Sequence, residues 1–115
     1  MPDPIHVMLK HEPVADGFLV KVGGDIDFSR SPELRAELMG LLKQPVARLV
    51  IDLAGVPYMD SSGVAVLVEA LQLQRKRNQK LVLCNMQPKV KGIFEIARLH
   101  TVFKIVDDRA AALEA

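Results

Sequence analysis

A lone cysteine, Cys84, leaves nothing to form an internal disulfide. Its neighbours Leu81, Val82 and Leu83 mark a buried thiol behaving as a small apolar side chain, in a reducing compartment. An excess of one charge is missing too: 15 Lys and Arg stand against 14 Asp and Glu, for a formal charge of +1. Such a chain has no net field to draw nucleic acid or an anionic membrane. No apolar run approaches the length of a membrane span, and the N-terminus has no basic flank followed by an apolar core. The expectation is a cytoplasmic, unanchored protein with no direct nucleic-acid partner and no membrane insertion. Repeats, low-complexity stretches and interdomain linkers are also lacking.

The elements of common catalytic and metal sites are sparse. His6 and His11 have no cysteine or carboxylate at a spacing that suggests a metal, and His100 has no charged partner close in sequence. Met59 stands where a nucleophile elbow around Ser61 would need its first glycine. Gly23-Gly24 lacks the later glycines and the Lys-Ser or Lys-Thr of a phosphate loop. Asp52 closes a strand, as a phosphoacceptor aspartate would. The first strand, however, ends in Lys10-His11 rather than in an acidic pair that could hold magnesium. No catalytic residue, metal or cofactor is expected, and the chain reads as a binding module rather than an enzyme.

What is present is an ordinary globular composition, half hydrophobic and a quarter charged. A chain of 115 residues suits one domain, here residues 1–115, which can bury roughly two thirds of its extended-chain surface unaided. Ile5 to His11 and Phe18 to Val22 alternate apolar and polar residues around a turn-like Pro13 to Gly17, predicting an opening β-hairpin. Ser31-Pro32-Glu33 supplies an N-cap candidate followed by proline, and Leu34, Leu38, Leu41 and Leu42 follow at helical spacing up to Pro45. Leu49-Val50-Ile51 shows little alternation, the mark of a strand covered on both faces, and predicts a central strand from Arg48 to Leu53.

Gly55, Pro57 and Asp60 mark a loop, after which a long stretch runs towards Asn78. Val64, Val66 and Val68 alternate as a strand would, but about 16 residues pass without a turn signal. Val64, Leu67, Val68 and Leu71 also fit a helix, the reading preferred here. Arg75, Lys76, Arg77 and Lys80 then fall where cations complement the dipole of a helix end, a reading favoured over a binding patch. Lys80 to Cys84 predicts a strand, Asn85 to Pro88 the cap of a helix presenting Val90, Ile93, Phe94 and Ala97 on one face, and Val102 to Val106 and Arg109 to Leu113 a last strand and helix.

The order β-β-α-β-α-β-α-β-α predicts an α/β domain with a mixed, mostly parallel sheet and helices packed on it. Loops after the carboxyl ends of parallel strands collect along one sheet edge. Asp25 and Asp27, the Tyr58 to Gly63 loop, and Asn85 to Gln87 should share that edge. There Met59-Asp60-Ser61-Ser62-Gly63 sets two hydroxyls and a carboxylate at a helix start, where N–H groups lack partners. The residues alone leave two readings open, an ordinary cap and a modifiable hydroxyl. Ser and Asp are preferred caps, which favours the first.

The run Asp60-Ser61-Ser62-Gly63, with Gly24-Asp25-Ile26-Asp27, Pro88 with Val90 and Phe94, and Phe103-Lys104-Ile105, resembles the anti-sigma factor antagonists built on the STAS domain. The resemblance covers nearly the whole chain. It implies that Ser61, directly after the motif aspartate, is phosphorylated by a partner that is both an anti-sigma factor and a serine kinase. The unphosphorylated form would bind that partner and free a sigma factor, thereby regulating transcription, and a serine phosphatase would restore binding. Asp25, Asp27, Asp60, Ser61, Ser62, Gly63 and Val64 would form the partner-binding surface. Ala65 stands where the family commonly has a second glycine, and Asp25 replaces the usual glutamate. Within the same family the rival readings are a stressosome-like scaffold component, a subunit of a lipid-transport ATPase, and a domain of an anion transporter. Edge strands allow a homodimer without requiring one.

Overall fold

The computed structural model describes residues 8–115. Strands β1 (Met8–Val14) and β2 (Gly17–Gly23) form the antiparallel hairpin. There follow α1 (Ser31–Leu41), β3 (Arg48–Gly55), α2 (Ser61–Lys76), β4 (Lys80–Cys84), α3 (Pro88–Ile96), a single 3-10 turn at Leu99–Thr101, β5 (Lys104–Val106) and α4 (Arg109–Glu114). Ile5, His6 and Val7, where the first strand was expected to start, lie outside the described residues. The hairpin turn is tighter than the Pro13 to Gly17 stretch suggested: Val14 pairs with Gly17, leaving Ala15 and Asp16 at the tip. Pro13 can stay in the ladder because β1 is an edge strand, where a missing N–H is tolerated.

The sheet order is β1-β2-β3-β4-β5, with every pair after the first parallel. Each crossover thus steps to the adjacent strand without reversing direction across the sheet, and connections of one hand then bring their helices to one face. Val20, Val22, Leu49, Ile51, Leu53, Leu81 and Leu83 point to that face and share one core with Leu34 and Leu38 of α1, Leu67 and Leu71 of α2, and Val90 and Phe94 of α3. The alternate residues Leu19, Val50, Val82 and Cys84 meet Ala112 of α4 on the other face. Burial on both faces is why the central strands read as unbroken apolar runs.

Two charged pairs secure α4. Arg48, only 9% exposed, donates to Asp16 and to the carbonyls of Ala112 and Ala115. Asp52 accepts from Arg109 Nε at 2.7 Å and from the Ala54 N–H at 2.9 Å. The strand-closing aspartate is therefore a buried structural partner. Three cations of the basic cluster at the end of α2 are likewise structural: Arg75 donates to the Val102 carbonyl, Arg77 to that of Leu42, and Lys80 to that of Ala115.

The start of α1 differs from expectation, whereas that of α3 falls within the expected Asn85 to Pro88 stretch. Ser31 is not the N-cap of α1 but its first residue, and it is buried; Arg30 takes the cap position without a side-chain bond. Asp27 organises this end instead, accepting the N–H groups of Ser29 and Arg30 on its carboxylate and those of Arg30 and Ser31 on its carbonyl. The cap of α3 is Gln87, again without a side-chain bond, and Pro88 opens the helix as the sequence indicates.

Candidate functional site

The edge at the carboxyl ends of β2 and β3 is built by backbone pairing that extends the sheet beyond its regular strands. The Gly24 N–H donates to the Gly55 carbonyl at 2.8 Å, Ile26 N–H to Tyr58 at 3.0 Å, and Asp60 N–H to Ile26 at 3.0 Å. An isolated parallel bridge pairs Ile26 with Met59. Both side chains are fully buried, anchoring the two loops from beneath. Gln87 donates to the Ala54 carbonyl at 2.7 Å, and the Lys89 ammonium lies 5.9 Å from the Tyr58 ring centre. Two of the three segments expected to share an edge are thus paired directly, and Gln87 of the third is bonded to the neighbouring end of β3.

On this base α2 begins. Its cap is Asp60, in extended backbone, and its Oδ1 accepts from the Ser62 N–H at 2.9 Å, the Ser62 hydroxyl at 2.5 Å and the Gly63 N–H at 3.4 Å. Ser61 is the first helical residue and is exposed. Its hydroxyl is not the cap, so the bland reading of this serine as a helix cap gives way to Asp60. Ser62 is half-buried and tied to Asp60, which separates the two adjacent serines chemically.

Gly63 is buried where the helix meets the bridge. A Cβ there would sit 2.6 Å from Ile26 Cγ2 and 2.7 Å from Met59 Cγ, closer than carbon atoms approach. Val64 is half-buried and rests partly on the core, whereas Ala65 is exposed. Asp25 is exposed, with its carbonyl 3.5 Å from Arg30 Nη1. Asp27 is half-buried, and its carboxylate is turned into its own turn, where the Ser29 hydroxyl donates at 2.6 Å and Arg30 lies at 3.6 Å.

Two carboxylates of this edge, those of Asp27 and Asp60, are held below the ordinary carboxylate range. For Asp27 the Ser29 hydroxyl is the largest cause, outweighing partial burial, with help from the Ser29 and Arg30 N–H groups and the Arg30 charge. For Asp60 it is the Ser62 hydroxyl, joined by the N–H groups of Ser62, Gly63 and Phe28. They are ionised at neutral pH, and the exposed Ser61 hydroxyl stands beside fixed negative charge.

One residue of this edge escaped the sequence reasoning. Phe28 is 78% exposed, and its N–H donates to Asp60 Oδ2 at 3.2 Å, joining the α1 turn to the α2 cap. The only signal in the sequence is a large apolar residue inside the polar run Asp27 to Arg30. Elsewhere, His11 meets Glu37 at 2.9 Å and His100 lies exposed in the 3-10 turn. Among the described residues no group of three His, Cys, Asp or Glu side chains could hold a metal, and no helix is long and apolar enough to cross a membrane.

The fold and this edge define a STAS module, and the STAS domain family matches residues 7–112. The chain belongs to that family. BtrV of Bordetella bronchiseptica, named as a candidate anti-sigma factor antagonist, is 31% identical over 101 residues, covering 87% of each chain. An anti-sigma factor antagonist from Mycobacterium paratuberculosis superposes with a TM-score of 0.89 at 21% identity, over 99% of this chain and 97% of that one. The phosphorylated form of the Bacillus cell fate determinant SpoIIAA superposes with a TM-score of 0.71 at 18% identity, over 90% and 96%. The five-stranded sheet flanked by four helices is the architecture of these structures.

Proposed function

We propose that this chain is an anti-sigma factor antagonist, a non-catalytic binding module switched by phosphorylation of Ser61. Its partner is an anti-sigma factor with serine kinase activity, and a serine phosphatase returns the module to its binding form. Released sigma factor then changes transcription. The carrying observation is the division of labour at the start of α2: Asp60 caps the helix, and Ser61 is left exposed at its first position. The relatives named as antagonists, and a family structure with a phosphorylated form, support the same reading.

The geometry of the helix start bears on how the switch would work. The Ser62 and Gly63 N–H groups are already taken by Asp60, and the Val64 N–H bonds the Asp60 carbonyl. A phosphate on Ser61 would therefore have to compete with Asp60 for the Ser62 and Gly63 N–H groups. It projects about −1.5 to −2 charges outward, beside an ionised Asp60, onto the surface a partner must cover. Binding is lost through repulsion and the cost of desolvating the dianion, while the fold is kept.

Mass mapping after incubation with the kinase and ATP tests the acceptor. Label should remain in Ser62→Ala and vanish in Ser61→Ala; the opposite pattern would sink the assignment. Ser61→Asp should weaken calorimetric binding by about 2 kcal/mol or more. Its melting temperature should barely change, because acidic groups suit the first turn of a helix. Val64→Asp is a poorer probe, because Val64 rests partly on the core and a charge there burdens the fold as well.

A further inference from the structure

Phe28 is a large apolar side chain for which the fold has no use. With 78% of its surface exposed, the ring adds little to the core, yet its backbone is firmly held. Its N–H donates to Asp60 Oδ2. On either side, Asp27 accepts the Ser29 and Arg30 N–H groups on its carboxylate and the Arg30 and Ser31 N–H groups on its carbonyl. A ring displayed on an ordered turn loses little freedom when a partner covers it, and aromatic side chains so presented dominate many interfaces. Ile96 is still more exposed, at 88%, but it lies at the far end of α3.

The neighbourhood indicates what would cover the ring. Asp25, Asp27 and Asp60 surround it in sequence or by hydrogen bond, and the last two are held ionised. The complementary surface is an apolar pocket with a basic rim. The same Asp60 carboxylate that holds the Phe28 N–H on one oxygen caps the helix carrying Ser61 on the other. The Phe28 backbone and the start of the helix that carries Ser61 thus meet at a single carboxylate.

We infer that Phe28 is the apolar anchor of the switch interface, its ring entering an apolar pocket with a basic rim on the anti-sigma factor kinase. The inference rests on the reading of the Asp60-Ser61 edge as the partner surface, and adds the residue that supplies most of its affinity. Calorimetric titration of the purified chain against the purified anti-sigma factor kinase of the same organism tests both. Phe28→Ala should weaken binding about 30-fold or more and leave the melting temperature unchanged, whereas Ile96→Ala should bind like the wild type. If Ser61→Asp loses binding but Phe28→Ala keeps it, the anchor is overturned and the switch surface stands. If both variants bind like the wild type, the surface itself is wrong and the anchor falls with it. Equal losses in Phe28→Ala and Ile96→Ala would also overturn the anchor, because exposed apolar area in general would then be the cause.

Discussion

Replacing Gly63 with alanine should destabilise the protein, against the usual effect of that change in a helix. The new methyl carbon would lie 2.6 Å from Ile26 Cγ2 and 2.7 Å from Met59 Cγ. That is about 1 Å inside ordinary carbon contact. Met59 can rotate away, being unbranched. Ile26 cannot: its χ1 is stiff, and its backbone is bonded to Tyr58 and Asp60. The helix start must shift, and overpacking of this kind costs about 1–3 kcal/mol. The better helix propensity of alanine returns about 0.5–1 kcal/mol. The net loss should centre on about 1 kcal/mol and reach at most about 2.5 kcal/mol, a central fall of about 4 °C in melting temperature. Urea unfolding followed by circular dichroism suits a chain without tryptophan. Gly92→Ala, inside α3 with nothing within 4 Å of the new carbon, is the control and should gain about 0.5–1 kcal/mol. A Gly63→Ala protein at least as stable as the wild type would refute the packing argument.

Acid should expose the Asp52-Arg109 pair. Burial pushes the Asp52 carboxyl up, but the Ala54 N–H, the Arg109 guanidinium and the Asn85 side chain outweigh it, and the group sits below its ordinary value. A depressed carboxylate contributes stability above its unfolded pKa, about 3.9, that is lost as pH falls through the lower folded value. Asp52→Asn should therefore flatten the acid limb of a stability profile below about pH 4; an unchanged limb would show that other carboxylates carry it. Cys84 is fully buried, and burial, with the nearby Asp52 charge, pushes its thiol up to about 11. Alkylation at pH 8 should be at least about 100-fold slower in the native protein than in denaturant; equal rates would place the thiol at the surface.

The fold was legible wherever periodicity and punctuation agreed. Lys80 to Cys84 coincides with β4 because the apolar run is bounded by polar turns and buried on both faces. The Val64, Val66 and Val68 alternation did not mislead, because length outweighs β-branched content in a stretch without a turn signal. What stayed illegible depends on contacts distant in sequence. Ser31 was expected to cap α1, but Asp27 reaches forward from outside the helix and takes over that end. Asp60 was legible as part of a motif, but its bond to the Phe28 N–H spans 32 positions and no local pattern encodes it. The same holds for the crowding at Gly63, which exists only once Ile26 and Met59 have been paired.

That pairing has a consequence for how a kinase would read this protein. Many protein substrates are threaded through an active site as extended, pliable segments. Ser61 instead opens a helix whose cap and underlying bridge are fixed by two loops more than thirty residues apart. On the reading that Ser61 takes the phosphate, the substrate is a shape rather than a string. A synthetic peptide carrying the residues around Ser61 would have the letters of the motif without its surface, and should be a poor substrate beside the folded chain.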